Sequence, residues 1–449
     1  MALPSTRRIL IAGALLFVAF AIYGSLVPLH SRHLTFDEAI AQFRALRYTP
    51  FAVASKTDAL SNFALFLPIG FLSTGAIAVG RSRLSAALAI PLVVLVAGAL
   101  SVSIEFAQIF IPDRTASLND VASETAGALC GAIGWVVFGP LVSAWMAGFA
   151  PSRTTSSDLT RRLLTAYAAV WLVLGLLPFD VTIRPAELAE KFRMDRIRVD
   201  PLRGGPATAG PLIVGSALLS IPIGALSALG WPRPRRSAAA ARGTLAASAA
   251  VTLLEGCQLF IFSRTASVDD VIGGVIGAAI GAHWAARMQA GHDQTESGLQ
   301  LWPLAVLAFW LGMIFFRQWS PFDFHVSGDM FRGRSSALLQ VPFRNYYWAN
   351  PFDALAQAII KVFLGLPVGA LLMLAFRPAP SPAWRWLQLS LAVGAGFAIF
   401  ACVEIGQIFL PSRYPDGTDV GLGTLGVFLS AWGTRLVQSA RGSAEDRST

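Results

Sequence analysis

Apolar runs of about twenty residues follow one another along the whole chain, and this spacing decides most of what the chain can become. A helix of about twenty apolar residues crosses the ~30 Å hydrocarbon core of a bilayer. Inside that core every backbone N–H and C=O must be satisfied within the chain, which leaves helices for segments of this length. Composition agrees. Hydrophobic residues make up 55% and charged residues 14%, where a soluble domain carries about 25% charged. Intrinsic disorder, collagen, a disulfide scaffold and an ordinary cytosolic enzyme are excluded on the same grounds. The sequence predicts an all-α polytopic membrane protein with about twelve transmembrane helices.

The runs are not independent of one another. The pattern E-x2-Q-x5-R-x5-D occurs three times, as Glu105, Gln108, Arg114, Asp120, then Glu255, Gln258, Arg264, Asp270, then Glu404, Gln407, Arg413, Asp419. A glycine stands seven residues after each aspartate: Gly127, Gly277 and Gly426. Upstream lies a P-[IV]-G tripeptide at Pro68, Pro222 and Pro367, and further back a proline closes an apolar run at Pro28, Pro178 and Pro321. Four elements in one order, three times, make a tandem repeat of about 150 residues. The expected units are 1–150, 151–295 and 296–449, each of four spans, A to D. The spans are expected at 9–27, 59–79, 85–108 and 119–138, at 163–178, 207–229, 243–262 and 269–287, and at 301–316, 354–376, 386–410 and 420–437. The first span resembles a signal peptide, with Arg7 and Arg8 ahead of it. Its repeat counterparts are internal, so it reads as a retained span.

The A–B loops are long and mix charges with aromatics. Phe36, Ile40, Phe43 and Leu46 recur at helical spacing, which fits either an interfacial helix or a helix packed on the bundle. The third such loop carries Tyr346, Tyr347 and Trp348, a composition suited to the headgroup zone. The B–C loops are short and basic, with Arg81 and Arg83, then Arg233, Arg235, Arg236 and Arg242, then Arg377 and Arg385. Total Lys and Arg counts tie between the two sides, but short basic loops and the leading Arg7 and Arg8 place the B–C side and both termini in the cytoplasm. The signature loops then face outward, from a multi-pass protein of the inner (plasma) membrane. The formal charge of +9 is a topology signal and calls for no nucleic-acid partner.

Glu105 and Gln108 share one face of helix C. An ionisable group in a span is expensive and needs a partner, and Arg114 is the expected one. Asp120 falls at the start of helix D, where a carboxylate can cap free N–H groups. Two readings stay open: a polar staple of the C–D hairpin, or a pocket that binds a headgroup or does acid–base work with Glu105, Glu255 or Glu404. Glycines at four-residue spacing in helix D are expected to let helices pack closely. Lys361 is the one lysine inside an expected span, with Asn62 and Ser216 as its counterparts, and is expected to snorkel or to form an ion pair. Cys130, Cys257 and Cys402 form no CxxC pair, and the histidines are scattered. No metal site, nucleotide loop or nucleophile elbow is expected, and no cofactor.

The chain resembles the VanZ-like family over nearly its whole length, as three tandem units of which the first matches best. The matching residues are Asp58, Asn62, Phe66, Pro68 and Gly70, then the E-x2-Q pair, the arginine, and Asp120 followed by Gly127 and Gly131. The third repeat keeps the signature but has Ser430 in place of the second glycine, and the second is degraded upstream. Where the family pattern has an asparagine four residues after the aspartate, this chain has Glu124, Gly274 and Gly423. The resemblance implies an integral envelope protein linked to lower teicoplanin susceptibility. Three functions are carried forward. The first is a non-catalytic protein that binds a membrane lipid or lipid-linked envelope precursor through Arg114, Arg264 and Arg413. The second is an enzyme acting on such a lipid by carboxylate chemistry, and the third is a transporter.

Overall fold

The computed structural model describes residues 2–48, 53–149, 155–203, 205–229, 236–290, 301–347, 351–376 and 381–445. Arg233, Arg235, Arg377 and Trp348, named above, lie outside the described residues, as do the side chains of Arg236 and Tyr347. The chain runs as α1 (Ala2–Leu26), α2 (Phe36–Ala45), α3 (Val53–Ala78), α4 (Arg83–Gln108) and α5 (Leu118–Ala147). It continues as α6 (Ser156–Leu176), α7 (Pro185–Arg193), α8 (Pro206–Leu229), α9 (Arg236–Gln258) and α10 (Val268–Ala290). The last third holds α11 (Leu301–Trp319), α12 (Gly328–Arg334), α13 (Arg344–Tyr347), α14 (Pro351–Ala375), α15 (Pro382–Ile408) and α16 (Gly417–Glu445). The same order recurs three times: a long helix, one or two short ones, then three long helices. The all-α class is as the sequence predicts.

Among the described residues, eleven helices are long and apolar enough to cross a membrane. The twelfth place belongs to α10, whose Asp269, Asp270 and Arg287 dilute its apolar run. This is a multi-pass membrane protein. Its surface fits lipid: Leu84, Leu88, Leu95 and Leu141 are exposed, an arrangement that would be costly in water. The fourth span of the first repeat runs beyond its expected end at 138, to Ala147, because the apolar sequence continues through Pro140.

The first long helix of each set ends on a proline, which has no N–H to continue the ladder. All three peptide bonds, Val27–Pro28, Leu177–Pro178 and Ser320–Pro321, are cis, and each proline precedes a residue with positive φ, namely Leu29, Phe179 and Phe322. Helices B and D meet backbone to backbone. A Cβ on Gly127 would overlap the Phe63 carbonyl, and one on Gly131 the Leu67 carbonyl. Gly277 stands in the same way against Ala217, and Gly426 against Val362. The glycine stripes therefore serve close packing, as expected.

By compactness the chain divides differently from its repeat. One unit contains 1–153, 324–354 and 413–418; the other contains 154–323, 355–412 and 419–449. In the first unit a core of Ala21, Phe66, Ile69, Ala97, Ile104 and Ala128 joins the long helices. Phe343, from the segment between α12 and α14, packs edge-on against Phe20 and Tyr23 of α1. In the second unit Leu307, Trp310, Ile314, Val368, Phe400, Val403 and Val427 form the largest core of the third helix set.

The short helix α2 carries a complete capping box between Thr35 and Glu38. Its Phe36 and Phe43 both meet Phe106 edge-on, with ring centroids 5.8 and 5.7 Å apart. It thus leans on the end of α4 while Phe36 stays exposed. The A–B and C–D loops share one end of each helix set. The Arg32 N–H donates to the Phe110 carbonyl and the Thr182 N–H to Phe260, and Ile197–Arg198 pairs in parallel with Ala266–Ser267.

Candidate functional site

The signature residues gather where α4 turns into α5. Glu105 is 1% exposed and lies one turn before the helix end. Its carboxylate accepts the backbone N–H of Ser117 at 2.6 Å. In the second repeat Glu255 accepts the N–H of Ser267 at 3.2 Å. The glutamate therefore pins the far end of the C–D loop to helix C. Ser117 and Ser267 also cap the next helix, each accepting the N–H two residues on, at 3.1 and 3.2 Å. Asp416 does the same for Thr418 in the third repeat, at 2.8 Å.

Capping was expected of the signature aspartate. The cap instead falls three residues earlier, where the Ser or Asp side chain at 117, 267 and 416 already fills that role. This frees the signature aspartate to face helix B. Asn62 donates to Asp120, Ser216 to Asp270, and Lys361 forms an ion pair with Asp419. Of the two expectations for Lys361, snorkelling and an ion pair, the structure shows the ion pair. Asn62, Ser216 and Lys361 occupy one position of the repeat and perform one task with three different groups.

The arginines reach elsewhere than expected. Arg114 donates from Nε to the Val27 carbonyl at 3.0 Å and from its terminal nitrogen to Gly24 at 2.5 Å. Arg264 repeats this on Leu177, at 2.6 Å, and on Leu174. Each guanidinium fork closes the carbonyls left open where helix A stops at its proline. Arg114 also lies near enough to Glu105 to act on it electrostatically. The main-chain carbonyl of Arg413 accepts from Arg334. Gln108 donates to the Ser25 carbonyl at 3.3 Å, tying α4 to α1. Gln407 lies 3.4 Å from the Glu404 carboxylate, both buried, and Gln258 is buried with its main-chain carbonyl accepting from Lys191.

Three features escaped sequence reasoning. Lys191, in α7, is buried and donates to the carbonyls of Gln258, Leu259 and Ile261, closing the end of α9. Burial holds its ammonium below the ordinary lysine range, against a partly offsetting pull from Asp180. The residue before each signature aspartate is buried, as Asn119, Asp269 and Thr418. Asp269 takes the Leu202 N–H and Thr418 the Phe343 N–H, both at 2.9 Å. Leu202 and Phe343 both have positive φ, so these bonds anchor a turn of the A–B segment. A recurring small polar residue ahead of the aspartate was the signal in the sequence.

The third feature is confined to the first repeat. Glu124 is 1% exposed, and its Oε2 has no hydrogen-bond partner among the described residues. The Ser101 hydroxyl, one turn before Glu105, is likewise buried and faces the Glu124 carboxyl without a hydrogen bond of standard geometry. Glu105, Asp120 and Glu124 act on one another electrostatically, and Asp58 acts on Asp120. In the second repeat Val251 and Gly274 occupy the positions of Ser101 and Glu124, and a Cβ on Gly274 would overlap Val251. In the third, Phe400 lies against Gly423 in the same way. Apolar packing closes in those two repeats the place that stays polar in the first.

The VanZ/LLP1 family model matches residues 9–139 and 303–438, within the first and third repeats. No curated protein and no solved structure matches the chain.

Proposed function

Since the chain belongs to the VanZ/LLP1 family and carries two copies of its domain, we propose that it is an envelope protein of the plasma membrane that binds the headgroup of a lipid or lipid-linked precursor without transforming it. The middle stretch, 151–295, is on this reading a third, diverged copy. The observation that carries the proposal is the polar cluster of the first unit. Glu105, Asp120 and Glu124 lie within long apolar helices, and Glu124 Oε2 is unpartnered. Burying such a group without a partner costs several kcal/mol, more than a purely structural role repays.

Glu124 is six residues beyond the start of α5, which is about 9 Å along the helix axis. That depth lies within reach of a headgroup seated at the outer end of the bundle. The aromatic A–B segments border the same end, a composition that favours the interfacial zone. Both termini lie in the cytoplasm on this reading, and the signature loops outside. Binding of an envelope precursor is the route by which the protein would alter glycopeptide susceptibility.

The arginines enter this function as supports, because Arg114 and Arg264 spend their forks on helix A carbonyls. Purification in mild detergent followed by mass spectrometry of retained lipid tests the proposal. A defined headgroup class at about one molecule per protein is expected; protein that retains no lipid would overturn it. A catalytic reading has one observation in its favour, the closeness of Glu105 to Asp120 and Glu124. Chemical change of the retained lipid during incubation would select it.

A further inference from the structure

We infer that the first unit takes an ammonium group, and that Glu124 and Asp120 receive it; this rests on the headgroup-binding reading and names the chemistry of the headgroup. The repeat supplies the comparison. In the third copy the signature aspartate already has an ammonium, because Lys361 Nζ of α14 pairs with Asp419 of α16 inside the helix set. Both side chains are mostly buried there, at 16% and 12% exposure.

The first copy has the same aspartate on the same helix, but the position of Lys361 holds the neutral Asn62. No salt bridge reaches Asp120 or Glu124 among the described residues. The first copy also adds a carboxyl group where the third has none, with Glu124 in place of Gly423 and the Ser101 hydroxyl in place of the Phe400 ring. In the third copy the space is filled by that ring and the charge is balanced from within. In the first copy Ser101 and Glu124 stand at those two positions, and Glu105, Asp120 and Glu124 act on one another with one carboxyl oxygen unpartnered.

Low dielectric makes the absence of a counter-charge costly. An ammonium offers three N–H donors and one positive charge. That matches Glu124 Oε2, the Ser101 hydroxyl oxygen and the Asp120 carboxylate. Among the described residues no group of His, Cys, Asp and Glu has the arrangement to hold a metal ion, which leaves an organic cation as the fitting class. A lipid amine headgroup and a free amine share this chemistry.

The full-length protein in detergent is loaded with phosphatidylethanolamine, with phosphatidylglycerol, or with phosphatidylglycerol plus soluble ethanolamine, and bound species are counted by native mass spectrometry. Wild type should hold phosphatidylethanolamine at least tenfold more than phosphatidylglycerol. Asn62→Lys should fold, as its counterpart does in the third copy, and should lose that preference at least tenfold by supplying the ammonium internally. Glu124→Gln should lose it as well. Equal retention of the two lipids, or full ethanolamine-lipid binding by Asn62→Lys, would overturn the ammonium inference while leaving headgroup binding standing. Retention of free ethanolamine with neither lipid would support the ammonium inference and overturn the lipid reading. No bound species in any arm would overturn both.

Discussion

Ser117 gives its backbone N–H to the Glu105 carboxylate at 2.6 Å, so one buried side chain fixes the loop that carries Arg114 and sets the start of α5. Removing that acceptor leaves a part-buried donor and an emptied polar site. A charged hydrogen bond of this kind contributes about 1.5–3 kcal/mol. Glu105→Ala is expected to lower stability by about that amount, and Glu105→Gln, which keeps an acceptor oxygen, by less. Thermal unfolding in a fixed detergent measures both. Equal losses in the two variants would mean that the carboxylate does not act as the acceptor.

Arg114 holds two carbonyls of α1 through a planar fork, and Arg264 holds the matching pair of α6. Lysine carries a point charge and cannot reproduce a fork. Arg114→Lys and Arg264→Lys should each cost about 1–2 kcal/mol. The loss should appear as faster hydrogen exchange at the ends of helices α1 and α6. Unchanged exchange at residues 24–27 in Arg114→Lys would remove the capping role.

Lys361 and Asp419 are worth most when broken singly. A buried charge left without its partner costs about 3–5 kcal/mol, whereas replacing both partners by apolar residues is often neutral. Lys361→Met should therefore destabilise strongly, and Lys361→Met with Asp419→Leu should recover most of the loss. A double variant no better than the single would show that the two residues are not coupled.

Gly127 and Gly312 separate packing from propensity. A methyl at Gly127 meets the Phe63 carbonyl, while a methyl at Gly312 meets nothing within 4 Å. Gly127→Ala is expected to cost about 1–3 kcal/mol by forcing α3 and α5 apart. Gly312→Ala should be neutral or gain up to about 1 kcal/mol from helix propensity. Equal effects on unfolding would contradict the close approach of α3 and α5.

Lys191 predicts a pH dependence. Burial depresses its pKa in the folded protein, so the unfolded chain binds this proton more readily. Its contribution is least favourable below the folded pKa and improves as pH rises toward the unfolded value near about 10.4. The stability gap between wild type and Lys191→Met should therefore widen in favour of wild type as pH climbs from neutral into that range. A gap that narrows would reverse the assignment.

The spans and the threefold order were legible because apolar length and repeated spacing are properties of the sequence itself. The end of the first helix of each set was legible from its proline, whereas the cap of helix D was assigned to the signature aspartate and falls three residues earlier. The target of Arg114 was not, since it is a pair of main-chain carbonyls that every residue possesses. Lys361 could be aligned with Asn62 and Ser216 from the sequence, but its partner depended on how α14 rotates against α16. Glu124 stood out in the sequence as a departure from the family pattern. Its meaning needed Ser101, which lies 23 positions away in the chain and on another helix.

The account turns on Glu124 serving a ligand while Glu105 serves the fold. The most direct measurement counts phosphatidylethanolamine per folded molecule of Glu124→Gln, with the unfolding temperature recorded on the same sample. The expected result is an unfolding temperature close to that of wild type, because the amide keeps the volume of the buried carboxyl, together with at least a tenfold loss of bound lipid. A variant that unfolds early yet keeps its lipid at the wild-type ratio would contradict the account.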